Sequence, residues 1–247
     1  MKIGVCLPYM PRNISRQNFK DWCRIIDQGP FYSLSCGERV TGYSYEMRNI
    51  LAFAAAATER VRIIPALYVL PMHSAVQAAK EIATLDILSE GRVTLTVGVG
   101  GREKDYEALG ASFKNRFQRM DDQIAIMKKI WRGELLDGLE EIGPTPIQAG
   151  GPPILVGAMG PKSIQRVSKW ADGLYGFAMD GNPDLINHFF SSADKAWQES
   201  GREQKPYRMG GFWYSLADNA QSALSDYVFD YLKTFGEDDA RKIAKTM

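Results

Sequence analysis

Two side chains in this chain of 247 residues titrate near neutral pH without help from their surroundings, the histidines at 73 and 188. His73 stands in Pro71-Met72-His73-Ser74, directly after a β-prone run. There it can act as an acid or base, or it can cap and pack the next helix. His188 falls in a peripheral helical stretch and reads as a surface residue. Glu38 and Arg39 follow another short β-prone run. An arginine keeps its proton near neutral pH, so Arg39 cannot be a general base. Its chemistry is to hold an anion, such as an anionic reduced cofactor or a substrate carboxylate or sulfonate. The pair can also be a plain ion pair. Glu38, Arg39 and His73 are therefore the catalytic candidates. Glu103 and Asp105 read as solvated loop carboxylates.

Two glycine-rich stretches could receive a ligand. Gly98, Val99 and Gly100 end a β-prone run, and Gly157-Ala158-Met159-Gly160 precedes Pro161. Proline suits the first position of a helix, and Gly160 the cap before it. The free amides of such a helix start attract anions, although the same residues also make an ordinary helix start. Gly98 to Gly101 lack a following helix, so they are not a dinucleotide-binding fingerprint.

These residues need elements to carry them. Apolar runs at 61–70 and 93–99 are rich in Val, Ile and Leu without clean alternation, as expected of strands buried on both faces. Between them, residues 75–88 form an amphipathic helix, with Val76, Ala79, Ile82, Ala83 and Leu85 on one side and Gln77, Lys80, Glu81 and Asp86 on the other. Strand, helix, strand is the unit of a parallel sheet, whose ligands bind beyond the carboxyl ends of the strands. Further strands are predicted at 2–7, 31–36, 154–156, 174–177 and 208–216. Further helices are predicted after Asn13 or Ser15 with Phe19, Trp22, Cys23 and Ile26 on one face, and at 45–59, 117–131, 161–171, 183–200, 219–235 and 237–247. Strand starts recur at about 30 residues over the first four units, the length of one strand-helix repeat. Residues 102–152 break this register and read as an insertion, a lid or substrate wall, within a single domain spanning 1–247.

Composition narrows the class. With 45% hydrophobic and 24% charged residues, the chain can bury a sizeable core. A net charge of +1 and no basic tract give no field for nucleic acid or an anionic membrane. Cys6, Cys23 and Cys36 form neither a CxxC nor a His-rich pattern, so no disulfide framework and no metal site is expected. The amino-terminal apolar run is too short for a signal peptide, and a cytoplasmic location fits the free cysteines.

The segments SLSCGER (33–39), AAAATERVRIIPALYVLPMHSAVQAAKEIATLDILSEGRVTLTVGVGG (54–101), FKNRFQRMDD (113–122) and PPILVGAMGPKSIQRVSKWADG (152–173) together resemble the bacterial luciferase-like, flavin-dependent monooxygenase family. The resemblance implies a TIM-type (β/α)8 barrel with a flavin across the carboxyl ends of its strands, FMN in some members and the deazaflavin coenzyme F420 in others. By matched position, Ala66-Leu67 would be the family's non-prolyl cis peptide behind the flavin ring, with an ordinary strand bond as the alternative. Gly98, Val99 and Gly100 would touch the ring, and Gly157, Ala158, Met159 and Gly160 would form the phosphate turn. Relatives often place hydroxyl side chains in that turn, so here backbone amides would bind the phosphate, helped by Ser163, Arg116 or Arg119. Glu38-Arg39 aligns with an acidic-residue/His pair whose histidine moves protons in relatives.

The expected function is a flavin-dependent oxidoreductase, a luciferase-like monooxygenase using reduced FMN and oxygen on a small organic substrate. A separate flavin reductase would be its partner and a homodimer its assembly. One alternative is F420-dependent hydride transfer, favoured by the Gly160-Pro161-Lys162 turn. Another is a non-catalytic flavin-binding relative or a truncated inactive chain. Family barrels close with one more strand and helix than this chain carries, so the last unit is expected to be missing, by truncation, by natural shortness or by closure through a dimer partner.

Overall fold

The computed structural model of the protein describes residues 1–247. Strands and helices alternate: β1 (Gly4–Cys6), α1 (Arg16–Gln28), β2 (Ser33–Cys36), α2 (Met47–Ala56), β3 (Arg62–Tyr68), a 3-10 turn (Leu70–Met72), α3 (Ala75–Leu88), β4 (Leu95–Val97), α4 (Glu103–Ala108), α5 (Arg116–Trp131), β5 (Ile154–Gly157), α6 (Pro161–Val167), β6 (Gly173–Phe177), α7 (Pro183–Glu199), β7 (Tyr207–Gly211), α8 (Ala220–Leu232), a second 3-10 turn (Lys233–Phe235) and α9 (Glu237–Ala244). Strand order equals chain order, as in β/α barrels. The chain divides into two compact units, Met1–Leu155 and Val156–Met247.

In the first unit β1, β2, β3 and β4 pair parallel in sequence, with Cys6 beside Ser35, Cys36 beside Pro65 and Ala66 beside Thr96. Leu34, Cys36, Ile63, Leu95 and Val97 are fully buried on these strands. Ser15 caps α1, sharing reciprocal hydrogen bonds with Asn18. Phe19, Cys23 and Ile26 bury one stripe of that helix, but Trp22 is 39% exposed. Positions 19, 23 and 26 form the centre of the stripe, and 22 lies at its edge. Helix α2 begins later than expected, because the Glu46 side chain caps it by accepting from the Asn49 amide at 2.8 Å.

Helix α3 has the bounds read from the sequence, with one correction. Asp86, expected on its polar face, is wholly buried and accepts from the Gln148 amide at 2.9 Å and its Nε2 at 2.7 Å. Gln148 Nε2 also donates to Val93 O, and Arg62 Nη2 reaches Gln148 Oε1. Arg62 opens β3 and Val93 precedes β4, so Gln148 lies at the amino-terminal ends of these strands. Ligands of β/α folds bind at the opposite ends. The later part of the expected lid, around Gln148, is therefore a plug beneath the strands, held there by the need of a buried carboxylate for donors. Helix α5 is likewise packed in, with Met120, Ile124, Met127, Ile130 and Trp131 buried and Trp131 Nε1 bonded to Ala79 O.

In the second unit β6 and β7 pair parallel from Gly173 beside Tyr207 to Phe177 beside Gly211. β7 stops at Gly211 rather than Leu216 because its ladder partner ends there. Beyond it Trp213 packs edge-on against Phe177, Tyr227 and Tyr231. Helices α8 and α9 bury Val228, Leu232, Ala240 and Ala244 between them, with Trp213 against that core. No helix is long and apolar enough to cross a membrane.

Candidate functional site

The carboxyl end of β3 is where backbone approaches most closely. The Ala66-Leu67 peptide is cis. Glycines flank it on both neighbouring strands and each is needed for contact. A Cβ on Gly37 would stand 2.7 Å from the Tyr9 hydroxyl and 3.4 Å from Ala66 O, and one on Gly98 would stand 2.7 Å from Leu67 Cδ1. Gly100 has φ +59, and a Cβ there would meet Val69 Cγ1 at 2.8 Å. Positive φ and close approach both favour glycine. Lacking side chains at Gly98 and Gly100, the chain after β4 comes close against Leu67 and Val69 and forms a platform there. Beside it Thr96 Oγ1 is buried without a hydrogen-bond partner. A planar ring with polar edges fits such a platform and such an unpaired hydroxyl.

Glu38 and His73 meet, but in a network that faces the helices. His73 Nε2 lies 2.7 Å from Glu38 Oε1, and the Val69 amide donates to Glu38 Oε2 at 2.7 Å. Arg48 of α2 reaches Glu38 at 3.3 Å and lies 3.4 and 3.3 Å from the two imidazole nitrogens. It also pairs with Glu46 at 2.6 Å. The Tyr68 ring stacks edge-on to His73, and its hydroxyl donates to Glu81 of α3 at 2.6 Å. Gln123 of α5 donates to His73 O at 2.6 Å. The Glu38 and His73 side chains are 4% and 11% exposed. Burial alone would lower the Arg48 pKa, but Glu38, Tyr68 and Glu46 together more than offset it, so the guanidinium stays charged. Burial, then Glu81, holds the Tyr68 hydroxyl protonated. The cluster thus ties the end of β2 to β3 and to three helices. Sequence reading missed Arg48, whose one signal is a cation inside the apolar helix MRNILAFAAA.

Arg39 takes a different direction. Its Nε donates to Thr41 O at 2.8 Å, its Nη1 lies 3.8 Å from Met10 Sδ, and its carbonyl accepts from Ser44 Oγ at 2.7 Å. Gly42, at φ +87, leaves room for the guanidinium, since a Cβ there would stand 2.9 Å from Arg39 Nη2. Thr41 in turn is held by Asp105. That carboxylate accepts from the Thr41 amide at 2.8 Å and from the Thr41 hydroxyl, and it pairs with Arg102 at 3.4 Å. Asp105 is therefore a buried anchor and not a solvated loop group. One turn of α4 directs it inward while Glu103 points to solvent.

Next to Asp105, the buried Tyr106 donates to Val99 O. Burial first, with Arg116 and Arg119 opposing, pushes its hydroxyl from 10.0 up to about 12. A raised acid pKa stabilises the fold fully below the unfolded value, and that contribution is lost as pH rises from 10 through about 12. Urea midpoints across this range should fall less steeply in Tyr106→Phe than in the wild type, and parallel curves would refute the assignment.

The other expected residues lie as follows. Arg119 donates to Pro71 O, Ser112 O and Lys114 O at 3.0, 2.7 and 2.9 Å. Arg116 lies over the Phe113 ring at 3.8 Å and donates to Phe113 O. His188 is exposed on α7. In the second unit, Gly157, Ala158, Met159 and Gly160 link β5 to α6, with Gly160 as N-cap and Pro161 in the first turn. Ala158 is buried, Met159 is 61% exposed, and nothing lies within 4 Å of where a Gly160 Cβ would stand.

A family model described as luciferase-like monooxygenase matches residues 1–245. An uncharacterized protein of Mycobacterium tuberculosis is 30% identical over 165 residues, 63% of this chain and 57% of its own length. The oxygenase component of a flavin-dependent trigonelline monooxygenase from Acinetobacter baylyi is 28% identical over 153 residues, 57% of this chain and 42% of that protein. The chain spans about half the length of the curated relatives it matches. Among solved structures, the oxygenating constituent of 3,6-diketocamphane monooxygenase from Pseudomonas putida, in complex with FMN, is similar with a TM-score of 0.75 at 20% identity, covering 100% of this chain and 79% of that one. The coenzyme F420-dependent tetrahydromethanopterin reductase of Methanopyrus kandleri has a TM-score of 0.74 at 18% identity, covering 96% and 76%. At these identities the structural likenesses speak for the fold.

Proposed function

This chain belongs to the luciferase-like monooxygenase family, and from that premise we propose that it is a flavin-dependent oxidoreductase that uses reduced FMN and oxygen to oxygenate a small organic substrate. The observation that carries the reading is the close approach of Gly37 and Gly98 to Ala66 and Leu67 at the carboxyl end of β3, at the position where the sequence resemblance puts the flavin support. In this proposal Ala66, Leu67, Gly98, Val99 and Gly100 hold the ring. The bound cofactor would supply the redox chemistry.

The chain's own side chains then orient and support. Glu38 fixes the end of β3 by accepting from the Val69 amide. His73 and Arg48 hold the Glu38 carboxylate in place. Of the three expected catalytic side chains, Arg39 has the chemistry that suits an anion, with Glu38 and His73 in supporting positions. A separate reductase would deliver the reduced flavin, and a homodimer is the proposed assembly.

A second reading, hydride transfer with a deazaflavin, is favoured by the Gly160-Pro161-Lys162 turn and by the similarity to an F420-dependent reductase. One experiment separates the two. Protein purified without added flavin is denatured, and the released cofactor is identified by absorbance and mass. Anaerobic titrations with reduced FMN and reduced F420 follow. Tight FMN binding is expected, and retention of the deazaflavin with indifference to FMN would replace the first reading by the second.

A further inference from the structure

We propose that Tyr106 is a positioning residue for the cofactor ring, holding the carboxyl ends of β3 and β4 at the spacing on which that ring lies. The inference deepens the flavin reading given above and rests on it. The ladder between these strands reaches Gly98, whose amide donates to Tyr68 O at 3.0 Å. One residue further, the Val99 carbonyl accepts from the Tyr106 hydroxyl instead. The next residue, Gly100, has φ +59 and stands against Val69, where a Cβ would meet Cγ1 at 2.8 Å. The chain turns away from β3 at this point, so the course of the 98–100 backbone depends on what holds Val99 O.

The contacts of Tyr106 suit that task. The residue is 1% exposed and shares one buried cluster with Val69 and Met72, which follow β3, bordered by Val40, Ala111 and Phe113. Phe113 meets its ring edge-on, with centroids 5.2 Å apart and planes at 85°. Its backbone is held as well, since its carbonyl accepts from the Ala111 amide at 2.9 Å. One rigid side chain thus touches the end of β3 with its ring and the end of β4 with its hydroxyl. Without that hydroxyl, the Val99 carbonyl must find water or another donor, and the peptide turns to reach it. The same strand also points to a ligand. Thr96 Oγ1, beside Ala66 in register, is buried without a partner, a hydrogen bond still to be made.

The test uses the whole chain. FMN is titrated by fluorescence, and urea unfolding and the visible circular dichroism of the bound flavin are followed on the same preparations. Tyr106→Phe keeps the ring among Val69, Met72 and Phe113 and drops the bond to Val99 O. It should bind FMN about fivefold more weakly, the size of one net hydrogen bond. The circular dichroism of the bound flavin, which reports how the ring is set, should change with it. Tyr106→Met, which fills the same space flexibly, serves as the second variant and should lose at least as much affinity. A role in stability alone would lower the urea midpoint and leave the affinity and the dichroism of the folded variants at wild-type values. That result overturns the proposal and leaves the flavin reading intact. If the wild type binds neither FMN nor F420, the flavin reading falls, and the role of Tyr106 in placing a ring falls with it.

Discussion

Glu38→Ala is expected to destabilise the protein by about 3–5 kcal/mol, the range for breaking a buried ion pair by removing one partner. The carboxylate is 4% exposed and serves three groups at once: Arg48, His73 and the Val69 amide. Alanine takes from Arg48 the carboxylate it shares with His73, leaving it Glu46, and leaves a backbone donor without its acceptor. Glu38→Gln keeps the shape and an acceptor for Val69 but not the charge, so its loss should be smaller, about 1–3 kcal/mol. Urea denaturation at neutral pH measures both. If Glu38→Ala shifts the midpoint no further than a surface substitution would, the network is not holding the end of β2. A double-mutant cycle with Arg48→Met sharpens the point, since contacting members of one network should couple by about 0.5–3 kcal/mol.

The same network shows what sequence could and could not carry. Local signals were strong where a periodic pattern and its caps coincide. Residues 75–88 form the helix read from their spacing, because Ser74 caps one end and the apolar stripe fills the other requirement. The turn before α6 was equally legible, since Gly160 and Pro161 have few other uses in that order. The cis bond at 66–67 was legible only through resemblance, as neither Ala nor Leu marks it. Polar anchors were the blind spot. Asp86 and Asp105 sit in stretches that look solvated, and their donors, Gln148 and Thr41, lie 62 and 64 residues away. Nothing local distinguishes a carboxylate facing water from one facing a distant amide. Arg39 was singled out for its chemistry, while Arg48, the arginine that holds Glu38, was missed because helix propensity explains its presence equally well.

Gly98→Ala and Gly100→Ala should separate the platform's role in binding from its role in folding. At Gly98 the new methyl would meet Leu67 Cδ1 at 2.7 Å, the far end of a side chain that can rotate away. Stability should change by no more than about 1 kcal/mol. Leu67, however, belongs to the platform proposed to support the ring, and its displacement changes the shape of that platform. FMN affinity should fall at least about tenfold, equivalent to ~1.4 kcal/mol. At Gly100 the φ of +59 and the branched Val69 2.8 Å away leave less freedom. A non-glycine residue there is strained by about 1–2 kcal/mol before any contact is counted. Gly100→Ala should therefore lose both flavin affinity and stability, where Gly98→Ala loses affinity with little change in stability. Fluorescence titration with FMN and urea unfolding, run on the same preparations, give both numbers. If Gly98→Ala binds FMN like the wild type, the ring does not lie against the Leu67 and Gly98 surface, and the proposed support fails even if the protein proves to be a flavoprotein.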